Sequence, residues 1–208
     1  MSEEYDAEAY WGSRFESVGL SIRGPGHWGL SVKKNKEMYE SAKHVFLNLC
    51  VQEKVDLTMS RVLEIGTGNG FYAQVFFEAG VGDYLGTDIT DALFDKIRLL
   101  VPGMEFMKLD ITQTIPPGEY DLVIMFDVEQ HITSDVLFSQ AMQNIRSCLV
   151  PGGFLFITSL LKDLGKITFH QRYRDMDSFE REFRQDKIGT PIPYRDKFIF
   201  PIQRMQND

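Results

Sequence analysis

The run Arg61-Val-Leu-Glu-Ile-Gly-Thr-Gly-Asn-Gly70 constrains the fold more than any other part of this 208-residue chain. Val62, Leu63 and Ile65 make the short apolar run that a parallel strand buried on both faces requires, and Phe71 to Ala79 reads as the helix that follows. Gly66, Gly68 and Gly70, with Thr67 among them, occupy the turn between strand and helix. Glycine there permits a tight turn and brings a ligand close to the backbone.

The rest of the chain continues the same rhythm. Strands are expected at Arg61–Ile65, Asp83–Thr87, Glu105–Leu109, Asp121–Phe126 and Phe154–Ser159, with helical or connecting segments between them. That alternation predicts an α/β fold, a doubly wound and mostly parallel sheet with helices on both faces. Before the first strand, Met38, Ala42, Val45, Phe46 and Leu49 recur at three- and four-residue steps, so a helix is expected from Ser31 to Val51. A second helix is expected from Asp135 to Leu149, capped by Ser134, with Val136, Leu137, Ala141, Ile145 and Leu149 inward and Pro151-Gly152-Gly153 as its stop. After Ser159 the rhythm changes, leaving a helix near Asp177–Arg184 and a strand at Lys197–Ile202.

Composition narrows the class. A hydrophobic fraction of 43% with 25% charged residues suits a globular domain, and one domain over residues 1–208 is expected. Its parts would be an N-terminal lid and helix (1–51), a cofactor-binding core (61–160) and a C-terminal substrate or edge segment (161–208). The net charge of −8 gives no general attraction to phosphate backbones or anionic lipid, so neither nucleic acid nor membrane is expected as a partner. Lys33, Lys34 and Lys36, and later Arg172, Arg174, Arg181 and Arg184, read either as basic patches or as solvated helix faces. Cys50 and Cys148 sit in apolar helical patterns and read as core residues. The acidic, polar beginning is unlike a signal peptide, and no apolar run is long enough to span a bilayer, so a cytoplasmic protein is expected.

In a doubly wound sheet, ligands lie across the carboxyl ends of the strands. Those ends here are the glycine loop, Gly86-Thr87-Asp88-Ile89, Lys108-Leu109-Asp110-Ile111 and Phe126-Asp127-Val128-Glu129-Gln130-His131. Asp88, Asp110 and Asp127 thus fall on one rim. An acid ending the second strand is placed to grip a ribose diol, although a lone carboxylate there equally caps the next helix.

Taken together, these residues resemble the class I S-adenosylmethionine-dependent methyltransferases of Rossmann-like fold, small-molecule type. The resemblance covers Val62 to Ser159 and rests on Glu64-Ile-Gly-Thr-Gly-Asn-Gly70, Asp88, Asp110, Phe126-Asp127-Val128 and Pro151-Gly152-Gly153. It implies S-adenosylmethionine as cofactor, S-adenosylhomocysteine as product, and a strand order 3-2-1-4-5-7-6. Gly66 to Gly68 would cradle the methionine part above Glu64; Asp88 would bind the ribose, with Ile89 on the adenine. Asp110 would accept from the adenine amino group and Ile111 cover the ring, while Asp127 and Val128 would lie nearest the methionine ammonium and the substrate. An acidic rim suits a sulfonium zwitterion better than a pyrophosphate, and the loop lacks the Gly-x-Gly-x-x-Gly spacing of dinucleotide sites.

Such a cofactor brings an electrophilic methyl, so the protein must align an acceptor and exclude water. His131, one turn past the fourth strand, is the first candidate for a base, or else packs at a helix start. His170 and His27 are further candidates, and Trp11, His27 and Trp28 are expected in a lid, where the tryptophans either stack on a ligand or pack. The expected acceptor is a small molecule methylated at oxygen or nitrogen, by a monomer or homodimer; no metal is called for. A protein or peptide acceptor, or a non-catalytic cofactor-binding subunit, are the alternatives. Pro191 and Pro193 disfavour a central strand, so the sixth strand is expected to be short or absent, its edge covered by a loop or a dimer.

Overall fold

A computed structural model of the chain describes residues 5–26 and 29–206. His27 and Trp28 lie outside the described residues. The elements are α1 (Ala7–Val18), α2 (Val32–Gln52), β1 (Arg61–Ile65), α3 (Phe71–Glu78), β2 (Asp83–Asp88), α4 (Phe94–Leu100), β3 (Glu105–Lys108), β4 (Tyr120–Met125), α5 (Asp135–Cys148) and β5 (Leu149–Ser159). They are followed by β6 (Gly165–Thr168), β7 (Gln171–Tyr173), α6 (Met176–Glu182), β8 (Lys187–Ile188), β9 (Ile192–Tyr194) and β10 (Lys197–Gln203). A single 3-10 turn, Glu129–His131, joins β4 to α5.

The main sheet runs β3-β2-β1-β4-β5-β10-β8, parallel from β3 to β5 and antiparallel at β10. With the inserted β6–β7 hairpin set aside, this is the expected order, β10 taking the seventh place and the two-residue β8 the sixth. The edge of β10 is covered in two pieces, by β8 at Ile202 and Gln203 and by β9 at Lys197 to Ile199. Pro191 and Pro193 explain the division. Pro193 cannot donate to a ladder and is accommodated because β9 is a short edge strand.

Alternation along the strands sorts the core onto the two faces. Val62, Leu122, Ile124, Phe156 and Ile199 point to one cluster, and Leu63, Val123, Met125, Leu155, Ile157 and Phe200 to the other. Phe46 of α2 is the hub of the first face: fully buried, it meets the rings of Tyr72, Phe76, Phe126 and Phe156 at centroid distances of 5.7, 5.5, 5.6 and 6.3 Å. One ring thereby docks α2 onto α3, β4 and β5. Cys50 and Cys148 are buried and free, their thiols pushed up to about 12 by burial, as core residues should be.

The aromatic start forms a helix, α1, because Asp6 caps it through the Ala9 amide at 3.0 Å and the glycines cluster only after it. Two local expectations need correction. Ser134 does cap α5, but Val136 is 78% exposed; the buried stripe is Phe138, Ala141, Met142, Ile145 and Cys148. Pro151-Gly152-Gly153 does not separate α5 from β5. The strand begins at Leu149, directly after the helix, and Gly152 at φ 86° carries an irregular stretch whose amide donates to the Arg204 carbonyl at 2.8 Å.

Phe46→Ala is expected to destabilise the protein by about 3–5 kcal/mol through the cavity it leaves. Urea unfolding checks this; a loss no larger than that of an exposed substitution would show that α2 is not docked through this ring.

Candidate active site

A cavity of about 410 Å³ lies across the carboxyl ends of β1, β2, β3's following loop and β4, under α1. Glu64, Gly66, Thr67, Gly68, Asp88, Ile89, Asp110, Ile111, Asp127, Val128, His131 and Trp11 all line it. Gly70 does not. It heads α3 at φ 80°, where an added Cβ would meet Ile97 at 2.8 Å, so its role is packing. His170 is also off the wall, in the turn of the β6–β7 hairpin.

The glycine loop is held from β2. The amides of Gly66 and Thr67 donate to the Thr87 carbonyl at 2.7 and 3.0 Å, and the Gly68 amide donates to Asp88 Oδ2 at 2.9 Å. Gly66 sits at φ 81°, and a Cβ there would stand 2.2 Å from a methyl of Val128, so the loop and the β4 turn are packed too closely for any side chain. Asp88 accepts a second bond from the Thr90 amide at 3.2 Å, so it both braces the loop and caps the following turn. Each of its oxygens keeps a lone pair for a ligand hydroxyl. Asp110 accepts from the amide and hydroxyl of Thr112, both at 2.8 Å. Leu109, Ile111 and Ile89 add apolar surface beside it.

Burial pushes Glu64 up to about 8, with nearby Asp88 adding to the rise and a hydrogen bond from the Tyr84 hydroxyl opposing it. Burial likewise raises Asp88 to about 6 against its amide bonds. Asp127 differs. Burial would raise it too, but Lys197 Nζ at 2.8 Å and Arg195 Nη1 at 2.7 Å outweigh burial and hold it down at about 2. Asp127 adopts φ 60°, its amide donating to Thr158 Oγ1 at 2.8 Å. Sequence reasoning missed both cations, along with Tyr39, Phe71, Tyr72 and Phe126, which give the cavity aromatic surface. Lys197 lies 70 positions from Asp127, and no local pattern links residues so distant.

His131 meets Trp11 edge to face at 4.8 Å and stacks on His170 at 5.6 Å. Its Nδ1 lies 3.0 Å from the His170 carbonyl oxygen. A carbonyl only accepts, so Nδ1 carries the proton and Nε2 a lone pair. Burial pushes the imidazole down to about 4, which leaves it neutral.

A model of the methyltransferase-domain family matches residues 34–196, most of the chain, and the chain belongs to that family. A highly reducing polyketide synthase of Gibberella fujikuroi is 34% identical over 124 residues, 52% of this chain but 5% of that protein. A trans-aconitate 2-methyltransferase of Rhizobium rhizogenes is 29% identical over 107 residues, 50% of this chain and 40% of that enzyme. The chain thus spans only a small part of the polyketide synthases it matches. In fold it is similar to magnesium protoporphyrin IX methyltransferase of Synechocystis PCC 6803, solved with bound S-adenosylhomocysteine, at TM-score 0.70 and 18% identity over 96% of this chain and 100% of that one. Its fold is also similar to that of an S-adenosylmethionine-dependent methyltransferase of Clostridium acetobutylicum, at TM-score 0.65 and 11% identity over 81% of this chain and 92% of that one.

The residues fit the cofactor. Gly68 sits at φ 55° with its Cβ position in ordinary contact with Pro25 at 3.6 Å and Phe15 at 3.8 Å, so α1 and the following turn close over the loop, and the buried acids Glu64 and Asp88 sit at raised pKa beside the cavity, where a cation would be balanced. Asp88→Ala should weaken S-adenosylhomocysteine binding by about 10- to 100-fold, as expected for hydrogen bonds to a charged group. Isothermal titration measures this, with Asp88→Asn, which keeps an acceptor for Gly68, separating loop bracing from ligand contact; unchanged affinity in both would remove Asp88 from the site.

Folded Glu64 holds a proton that the unfolded chain has already released, so the ligand-free protein loses stability as pH rises from about 6 to about 8, whereas Asp88, raised only to about 6, has completed its share of the decline where that range begins. Glu129, raised to about 7 by burial, acts in the same direction, whereas the opposing contribution of His131 lies below its ordinary value of 6.5. Chemical unfolding at several pH values should show the decline, and Glu64→Gln should flatten it; a wild-type protein equally stable at both ends of that range would contradict the protonated state of Glu64.

Proposed function

We propose that the enzyme transfers the methyl group of S-adenosylmethionine to an oxygen or nitrogen of a small molecule, with His131 as proton acceptor. The observation that carries this reading is the cavity of about 410 Å³ beneath α1, continuous from Asp110 to His131. Ligand sites span about 300–1,000 Å³, so a space at the low end of that range, shared by cofactor and acceptor, suits a small acceptor. The trans-aconitate 2-methyltransferase among the relatives takes, by its name, a small organic acid, which supports the same reading.

On this reading Gly66, Thr67 and Gly68 hold the methionine part, Asp88 the ribose hydroxyls, and Asp110 with Ile89 and Ile111 the adenine. When bound, the cofactor supplies an electrophilic methyl on a sulfonium sulfur. The remaining work belongs to the protein. Trp11 and Phe15 of α1 exclude water, and Phe71, Tyr72, Phe126 and Tyr39 offer aromatic surface that favours an acceptor with an apolar or phenolic body over a sugar. The neutral His131 takes the acceptor's proton on Nε2 without first having to lose one of its own.

A panel of phenols, aromatic acids and amines, assayed by S-adenosylhomocysteine release, tests the acceptor class. His131→Gln should lower kcat by about 10²-fold or more with an ionisable acceptor, and leave S-adenosylhomocysteine affinity as it is. Retained turnover would reject His131 as the base, and methylation of peptides with no small acceptor accepted would replace this reading.

A further inference from the structure

We infer that the inserted β6–β7 hairpin positions His131, and that Arg174, the residue immediately after β7, is a positioning residue for methyl transfer. The inference rests on the reading of His131 as base. The hairpin reaches that residue from two sides. At its turn, the His170 carbonyl accepts the Nδ1 proton of His131 at 3.0 Å, which selects the tautomer whose Nε2 carries the lone pair; the Gln130 side-chain amide, 3.4 Å from Nε2, is the donor that an acceptor's proton would displace. At its end, the Arg174 guanidinium, 2% exposed, enters the β4–α5 connection that carries His131.

There it donates to the carbonyls of Ile132 at 2.8 Å, Ser134 at 3.3 Å and Glu129 at 3.4 Å, and lies 3.5 Å from the buried Glu129 carboxylate. It also stands 4.0 Å over the Phe138 ring and pairs with Asp135 at 3.2 Å. Carbonyls on both sides of His131 are therefore gathered by one planar group, and the imidazole can neither shift along the cavity wall nor turn without breaking one of these bonds. Lysine, whose donors radiate from one nitrogen, could not reach carbonyls that are met here from two separate nitrogens of a planar group. The same hairpin supports the lid over His131: the Phe169 and His170 rings pack on Tyr10 of α1 at 5.6 and 4.9 Å.

Nitrogen-15 spectra of the wild-type histidines at neutral pH should show His131 protonated at Nδ1 and bare at Nε2. Arg174→Met should lower kcat by about 10²-fold, the loss expected of a misplaced reacting group, with S-adenosylhomocysteine affinity unchanged, and Arg174→Lys should recover only part of the loss. An Nε2–H tautomer in the wild type, wild-type kcat in Arg174→Met, or parallel loss of kcat and S-adenosylhomocysteine affinity would each overturn the inference. The wild-type spectrum decides even where Arg174→Met does not fold. Failure of the base reading is seen separately, as turnover retained by His131→Gln.

Discussion

The bond from the Gly68 amide to the Asp88 carboxylate, 2.9 Å long, is the contact on which the site depends. It clamps the loop after β1 to the end of β2, and a hydrogen bond to a charged group contributes about 1.5–3 kcal/mol. The Thr87 carbonyl holds the two preceding amides, and the Val128 methyl fills the space a side chain at Gly66 would need. Backbone at β1, β2 and β4 is thereby locked into one geometry, and the cavity wall follows from it. The same acid that braces the loop keeps lone pairs for a ligand, so scaffold and binding surface are not separable here.

At the other end of the cavity the constraint is ionic. Asp127 occupies the left-handed region, which costs an ordinary residue about 1–2 kcal/mol. Its carboxylate meets Arg195 and Lys197, both nearly buried, from the turn between β9 and β10 and the first residue of β10. Removing either cation would leave charge buried with poorer compensation, the expensive way to break such a cluster. The C-terminal strand therefore does more than cover the sheet edge at β5: it fixes the turn that leads from β4 through the Glu129–His131 segment into α5.

What could be read from the residues alone follows a simple division. β1 falls at its expected bounds, and Asp88, Asp110 and Asp127 share one cavity wall, because a short apolar run and strand-end acids are written locally. The same local reading misplaced Val136, since a three- and four-residue step fits two adjacent faces of α5 and only the packing of Phe138 on Phe179 and Arg174 selects one. Glu129, Arg195 and Lys197 carried no signal, and Arg174, read as part of a basic patch or a solvated face, is instead buried, because their partners come from segments far apart in the chain. His170 was singled out for its ring, yet the atom that reaches the site is its carbonyl oxygen, and a main-chain acceptor leaves no trace in residue identity.

The acids on the rim look alike in the sequence and behave differently in the fold. Asp127 is already balanced by fixed cations and has no deficit for a ligand to fill. Glu64 and Asp88 lie in buried surroundings with amide and hydroxyl donors but, among the described residues, no cation paired with them, and burial pushes both toward the protonated form. A positively charged ligand is therefore worth more to Glu64 and Asp88 than to Asp127, because only there does its charge relieve a desolvation cost. On the proposed reading, that difference would orient a zwitterion without any additional contact: its cationic groups would be drawn toward the glycine loop, and the Asp127 end, already balanced, would be left to the acceptor, the aromatic wall and His131.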